Sequence, residues 1–205
     1  VLQEKHFGLQ DLDLALTYGG MGVVYRNRGN LEEALKWYDK ALEIQEKLLD
    51  PLSPALATTY NNKGLVYRSQ DNLEEALKWY DKALAIQEKV LDQLSPDLAI
   101  SYNNIGSVYW SKGDLEEALK WYDKALEIRE KVSDSLSPDL ATSYNCIGMV
   151  YHSKGNYDEA LKWHDKALQI REQVLNPLSP DLAISYNNIG SVYRSKGDYD
   201  EALKF

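Results

Sequence analysis

The sequence predicts an all-α solenoid of antiparallel helix pairs, on three observations. Tyr18, Tyr60, Tyr102, Tyr144 and Tyr186 recur every 42 residues, as do Gly22, Gly64, Gly106, Gly148 and Gly190. Each unit holds two stretches in which apolar residues return after three or four positions, the period of one buried helical face. Each stretch is bounded by stop and start signals. The repetition is close enough that LSPDLAISYNNIGSVY occurs letter for letter from Leu94 and again from Leu178.

The first helix of a unit opens at Ser-Pro. Ser95 can accept a bond from the first turn, and Pro96 suits a turn whose N–H has no partner. Leu98, Tyr102, Ile105 and Tyr109 then form its buried face, and Gly113 sits where a helix leaves by the left-handed conformation. The second helix opens at Asp114, with Glu117 three residues on as a capping box. The same box recurs as Asn30/Glu33, Asn72/Glu75, Asn156/Glu159 and Asp198/Glu201. Leu115, Ala118, Leu119, Trp121, Tyr122, Ala125 and Leu126 are its expected core residues. Its outer face carries Glu116–Lys120 and Glu127–Lys131, spaced four apart with the acid first. A pair this short cannot bury its apolar face alone, so like pairs must stack. Gly106 and Ala118 stay small where helices approach closely.

The expected organisation is one array. Residues 1–11 read as the tail of a preceding second helix plus a loop. Units follow at about 12–53, 54–95, 96–137 and 138–179, and 180–205 is a partial unit.

Composition excludes other classes. Of the 205 residues 44% are hydrophobic and 27% charged, and the net charge is −9. That charge argues against nucleic acid and against an anionic membrane surface. No apolar run approaches the roughly 20 residues that cross a bilayer. A lone cysteine, Cys146, and the lack of an Asn-x-Ser/Thr sequon point to a reducing, cytoplasmic setting.

Tyr102, Ile105-Gly106, Tyr109, Ala118, Tyr122 and Ala125 stand at the spacings of the tetratricopeptide signature, which this chain resembles over essentially its whole length. The usual unit has about 34 residues; here the extra length falls in EIREKVSDSLSPD. Units with ALEIREKV, SPDLA and YNN are similar to the repeats of kinesin light chain and of nephrocystin-like arrays. The resemblance implies a right-handed superhelix whose first helices line a concave inner surface.

On that surface would stand an asparagine ladder of Asn61, Asn103, Asn145 and Asn187, flanked by Asn62, Asn104 and Asn188. An amide both donates and accepts, so such a ladder suits an extended peptide backbone. In the family, asparagines here contact bound peptides. The other reading is that they bond neighbouring first helices to each other. One turn along, Arg26, Arg68, Trp110, His152 and Arg194 form the most variable row of the inner face. Arginine suits carboxylates and Trp110 an apolar anchor; solvated helix-end side chains are the alternative. A second variable row holds Val23, Leu65, Ser107, Met149 and Ser191.

Departures from the repeat add detail. Lys63 replaces a buried Ile and is expected to pack its stem and turn its ammonium to water. Gly19 and Gly20 blank the ladder in the first unit. Cys146 replaces one asparagine as a small filler, and Asp71 a helix-ending glycine at some strain. Trp37, Trp79, Trp121, Trp163 and Phe205 read as packing between repeats, and His164 as a packing substitution for Tyr.

No catalytic residue, metal site or cofactor site is expected. His6, His152 and His164 lie at unrelated repeat positions, and the paired acids recur as helix-start residues. The expected function is a non-catalytic module binding a peptide segment of a partner protein in the groove. By resemblance, that ligand is acidic with an apolar anchor. The alternative is a structural spacer that stacks head-to-tail through its open ends.

Overall fold

The same start and stop signals shape every helix pair in the computed structural model, which describes residues 2–205, with side chains from Asp11 onward. Ser53, Ser95, Ser137 and Ser179 each accept from the backbone N–H two residues on, and a proline begins each helix they cap. Gly29, Gly113, Gly155 and Gly197 leave their helices at φ 76–86°. Asp71 takes the same turn at φ 58° without glycine's freedom, the strain its sequence position implies.

The chain divides into two units by contact, Val1–Gln93 and Leu94–Phe205. The first holds α1 (Leu2–Asn27), α2 (Leu31–Leu48), α3 (Pro54–Ser69) and α4 (Leu73–Val90). The helices pack as the pairs α1/α2 and α3/α4, with α2 against α3. Its core joins Leu42, Leu56, Ala57, Ala83 and Ile86, and a second cluster joins Ala34, Tyr38 and Val66. The helix α1 runs unbroken from Leu2, which corrects the loop expected within 1–11. Every other first helix starts at a proline; the corresponding Leu12 keeps its N–H and gives the helix no reason to start there. The side chains of residues 1–10, His6 among them, lie outside the described ones.

The second unit holds α5 (Pro96–Ser111), α6 (Leu115–Val132), α7 (Pro138–Ser153), α8 (Tyr157–Val174), α9 (Pro180–Lys196) and the short α10 (Tyr199–Ala202). Pairs α5/α6, α7/α8 and α9/α10 stack through α6 on α7 and α8 on α9. Its main core contains Ala118, Tyr122, Leu126, Leu140, Ile147 and Ile170. Tyr102, Tyr109 and Trp121 are half-buried rather than sealed.

Several expected contacts are redirected. Asn72, Asp114 and Asp198 cap through their side chains, whereas Asn30 and Asn156 make no such bond; nothing in their backbone angles explains the difference. Glu117 turns to Lys120 one turn on. Glu116 therefore does not pair with Lys120 as its spacing suggests; it accepts from Lys154 of the following repeat at 2.6 Å. Lys196 and Asp158 repeat that bridge at 2.6 Å. The Glu127–Lys131 pair forms as expected, at 2.7 Å.

The tryptophan row packs on cores that span neighbouring repeats, Trp79 on the one with Leu42 and Trp163 on the one with Ala118 and Leu126, and it also has partners inside each repeat. Trp37, Trp79, Trp121 and Trp163 pack on Tyr18, Tyr60, Tyr102 and Tyr144 of their own repeats, with ring centroids 5.3–5.6 Å apart. Lys40, Lys82, Lys124 and Lys166 each cover one tryptophan ring at 4.2–4.3 Å. Among the described residues, no helix is long and apolar enough to cross a membrane.

Candidate functional site

Glycine fixes how close the two helices of a pair come, and so where the first helix presents its other face. A Cβ at Gly22, Gly64, Gly106 or Gly148 would stand 2.5–2.8 Å from a ring of Tyr38, Tyr80, Tyr122 or His164. Only a residue without a side chain lets that ring lie flat on the helix. His164 fills this slot completely: it is 1% exposed, and its Nδ1 lies 3.1 Å from Asn145 Oδ1. Burial first, then the charges of His152 and Arg171, push its imidazole down to about 4. It is therefore neutral near pH 7.

In the second unit Trp110, Asn145, His152 and Asn188 follow one register. Asn188 Nδ2 donates to Asn145 Oδ1 at 2.8 Å, Trp110 Nε1 donates to Ser153 Oγ at 3.1 Å, and His152 Nε2 meets Ser195 Oγ at 2.9 Å. Each bond joins residues 43 apart, one position further along the next first helix. Asn145 Nδ2 also reaches Met149 Sδ at 3.5 Å. Burial, then the charge of Arg194, holds the His152 imidazole below its ordinary range.

Asn103 lacks what Asn145 has. Its Oδ1 is shut off from solvent with no hydrogen-bond partner among the described residues. The residue standing where Asn188 stands one repeat later is Cys146, which carries no amide N–H. Cys146 is half-buried beside the core of this unit. Asn104 is half-buried, while Asn187 and Arg194 are exposed. Arg194 Nη2 lies 3.5 Å from Ser191 Oγ.

In the first unit Arg26 Nη1 donates to Asn62 Oδ1 at 3.1 Å, bringing together the variable row and the ladder. Asn61 and Arg68 are half-buried. Nothing lies within 4 Å of a Cβ at Gly19 or Gly20, so the face is bare there, as their sequence implies.

Lys63 corrects its expectation. Its side chain is 5% exposed, and Nζ is held by Asp39 Oδ1 at 2.5 Å and lies 3.6 Å over the Trp79 ring. The ammonium is sheltered and paired instead of reaching water. The signal for this lay in Asp39, one repeat back, whose recurrence as Asp81, Asp123 and Asp165 hid its special role.

Two buried arginines escaped sequence reasoning altogether. Arg129 donates to Ser143 Oγ and Arg171 to Ser185 Oγ, each at 2.6 Å, and both are under 9% exposed. Burial lowers both guanidinium values, opposed by Asp139 and Asp181. At the matching position of the first unit the direction reverses, and Gln45 Oε1 accepts from Thr59 Oγ1 at 2.8 Å. These polar pairs tie a second helix to the next first helix. Among the described residues no three His, Cys, Asp or Glu side chains converge to hold a metal ion.

Comparison with known proteins matches this geometry to a family. No curated protein sequence is similar enough to count as a relative. Among solved structures, BtubC (BKLC) from P. vanneervenii superposes with a TM-score of 0.83 at 25% identity, over 98% of this chain and 80% of that one. A protein of nearly identical TPR-like repeats from Podosopora anserina, described as a kinesin light chain, gives 0.77 at 21%, over 92% and 89%. A Rap protein complexed with competence and sporulation factor gives 0.75 at 21%, over 91% of this chain and 50% of that one. A family model for the tetratricopeptide repeat matches residues 13–89, 55–131, 97–145 and 139–205. With helix pairs, glycine-seated rings and family match in agreement, this chain belongs to the tetratricopeptide repeat family.

Proposed function

We propose that the face formed by the first helices binds an extended peptide segment of a partner protein, without catalysis. One observation carries the reading: along the inner face the repeats differ in the rows Arg26, Arg68, Trp110, His152 and Arg194 and Val23, Leu65, Ser107, Met149 and Ser191. A purely structural side chain would recur with the structure around it, whereas ligand reading requires variety. Arg194 offers paired donors to carboxylates, and Asn104 and Asn187 offer amides to a backbone. The fold of a Rap protein that holds a bound factor supports the reading. The preferred ligand is acidic with an apolar anchor.

A second reading, an array serving as a spacer, draws support from the 43-residue bonds. They occupy Asn145, Asn188, Trp110 and His152 with one another and with Ser153 and Ser195. Peptide-library selection followed by calorimetry separates the two. Binding of one peptide class, weakened by about 1 kcal/mol in each of Asn104→Ala and Asn187→Ala with melting unchanged, supports the peptide site. If no peptide class emerges, or the variants bind as well as the parent, the face is a spacer wall.

A further inference from the structure

Two rows flank the asparagine ladder of the second unit, and they exchange apolar and hydroxyl side chains from one first helix to the next. Ile100 and Ser107 stand one turn before and one turn after Asn103 on α5. Thr142 and Met149 hold those places on α7, and Ile184 and Ser191 on α9. The large apolar member beside the ladder therefore changes side at each step. Packing gives no account of the isoleucines, since Ile100 is 50% exposed and Ile184 49%. Trp110, a turn beyond Ser107, packs on the core instead. Helix α3 of the first unit makes the same exchange, with Thr58 and Leu65, while α1 is apolar at both places, with Leu16 and Val23. The acids of α5, α7 and α9 are confined to the first turn, at Asp97, Asp139 and Asp181. Along the remainder of these helices no residue is acidic, although the chain carries a net charge of −9. Arg194 stands exposed at the far end of α9.

We propose that the face of α5, α7 and α9 takes an extended peptide with apolar side chains at i, i+3 and i+6 and an acidic residue beside a terminal anchor; this rests on that face being the peptide site. First helices in contact, as α5 with α7 and α7 with α9 are, lie about 8–10 Å apart. An extended chain rises about 3.3 Å per residue, so three residues span that step, and successive side chains point to opposite sides. Three is odd, so the anchor over α7 points away from the anchors over α5 and α9. Ile100 and Ile184 on one side of the ladder, with Met149 on the other, match that alternation. An interval of two residues is too short at about 7 Å and one of four too long at about 13 Å, and both keep every anchor on one side. A helical ligand also gathers its anchors on one face, which leaves Met149 unmatched. As a flexible thioether, Met149 can adapt to the shape of its anchor. The residue next to the anchor over Ile184 points across the ladder toward Arg194, where a carboxylate gains paired, charged hydrogen bonds.

Two labelled peptides of equal composition, built on serine and threonine, test this by fluorescence anisotropy against the whole chain. One places leucine at i, i+3 and i+6, the other at i, i+2 and i+4. Aspartate flanks the leucines at both ends, which serves either chain direction. The first peptide is expected to bind saturably and at least about tenfold more tightly than the second. Ile184→Thr supplies the residue that Thr142 already is at the same repeat position, so the variant should melt with the parent. It is expected to weaken the first peptide about tenfold. Exchanging the sides on α7, by Thr142→Ile with Met149→Ser, should remove the preference between the peptides. Equal or tighter binding of the second peptide, or equal binding of the first by parent and Ile184→Thr, overturns the proposal and leaves the peptide-binding reading standing. Absence of saturable binding by either peptide also overturns it; the peptide-binding reading falls with it only if the library selection yields no peptide class.

Discussion

Asn145 and Asn188 bond side chain to side chain across α7 and α9, and the same Asn145 oxygen faces the ring of His164. Removing the Asn145 amide strands the buried His164 Nδ1 and the half-buried Asn188 amide at once. Asn145→Ala should lower unfolding free energy by about 1–3 kcal/mol. Asn187→Ala, at the matching position on α9, is exposed and should stay within about 0.5 kcal/mol of the parent. Denaturant titration of the two variants measures the contrast; equal losses would refute the structural role of Asn145.

The buried His164 makes stability depend on pH. Its folded value of about 4 lies below the ordinary 6.5, so between those values the unfolded chain binds more protons. Stability from this group is complete above pH 6.5 and falls as pH drops toward 4. From pH 7.5 to pH 5 the loss amounts to about 2 kcal/mol. His164→Tyr restores the ring of the other repeats and removes this component. Unfolding of both proteins at the two pH values gives the difference free of the carboxylates they share.

Lys63 and Asp39 should respond unequally to substitution. With Asp39 61% exposed and Lys63 only 5%, water can replace the ammonium around the carboxylate but not the reverse. Lys63→Ile, the residue of the other repeats, should remain within about 1 kcal/mol of the parent, as hydrophobic replacements of buried pairs often do. Asp39→Asn leaves the ammonium with the Trp79 ring as its main partner and should cost about 2 kcal/mol. That is less than removing a partner from a fully buried pair. Melting curves that rank the two the other way would contradict the asymmetry.

Backbone freedom offers two gains. Gly20→Ala lies in an open stretch of α1 and should stabilise by about 0.5–1 kcal/mol. Asp71→Gly should gain a similar amount by relieving the left-handed turn. Gly106→Ala is the opposite case, because its methyl would meet the Tyr122 ring at 2.8 Å, and overpacking costs about 1–3 kcal/mol. Thermal melts of the three variants suffice.

The helix pairs were legible because local chemistry determines them. Ser-Pro starts, glycine stops and apolar spacing act over a few residues and recur. What escaped lies between repeats. The period tells which residues are equivalent but not which meet, and the meeting distance is 43 residues in one row and 38 in another. Glu116 therefore looked like the partner of Lys120 when it belongs to Lys154. Lys63 looked like an intruder because its partner is an unremarkable aspartate one repeat back. Arg129 and Arg171 drew no notice because only the neighbouring first helix, with Ser143 and Ser185, gives them a buried partner.

The bridges Glu116–Lys154 and Asp158–Lys196 have a thermodynamic consequence. In a one-dimensional Ising description, Glu127–Lys131 contributes to the intrinsic term of its own repeat, whereas these two contribute to the coupling between repeats. At 1 M salt the screening length shrinks to about 3 Å, which weakens both kinds of pair. Loss of the first shifts the melting midpoint; loss of the second shortens the correlation length. Added salt should then broaden the unfolding transition of Leu94–Phe205 as well as displace it, so ionic strength sets how many repeats melt as one.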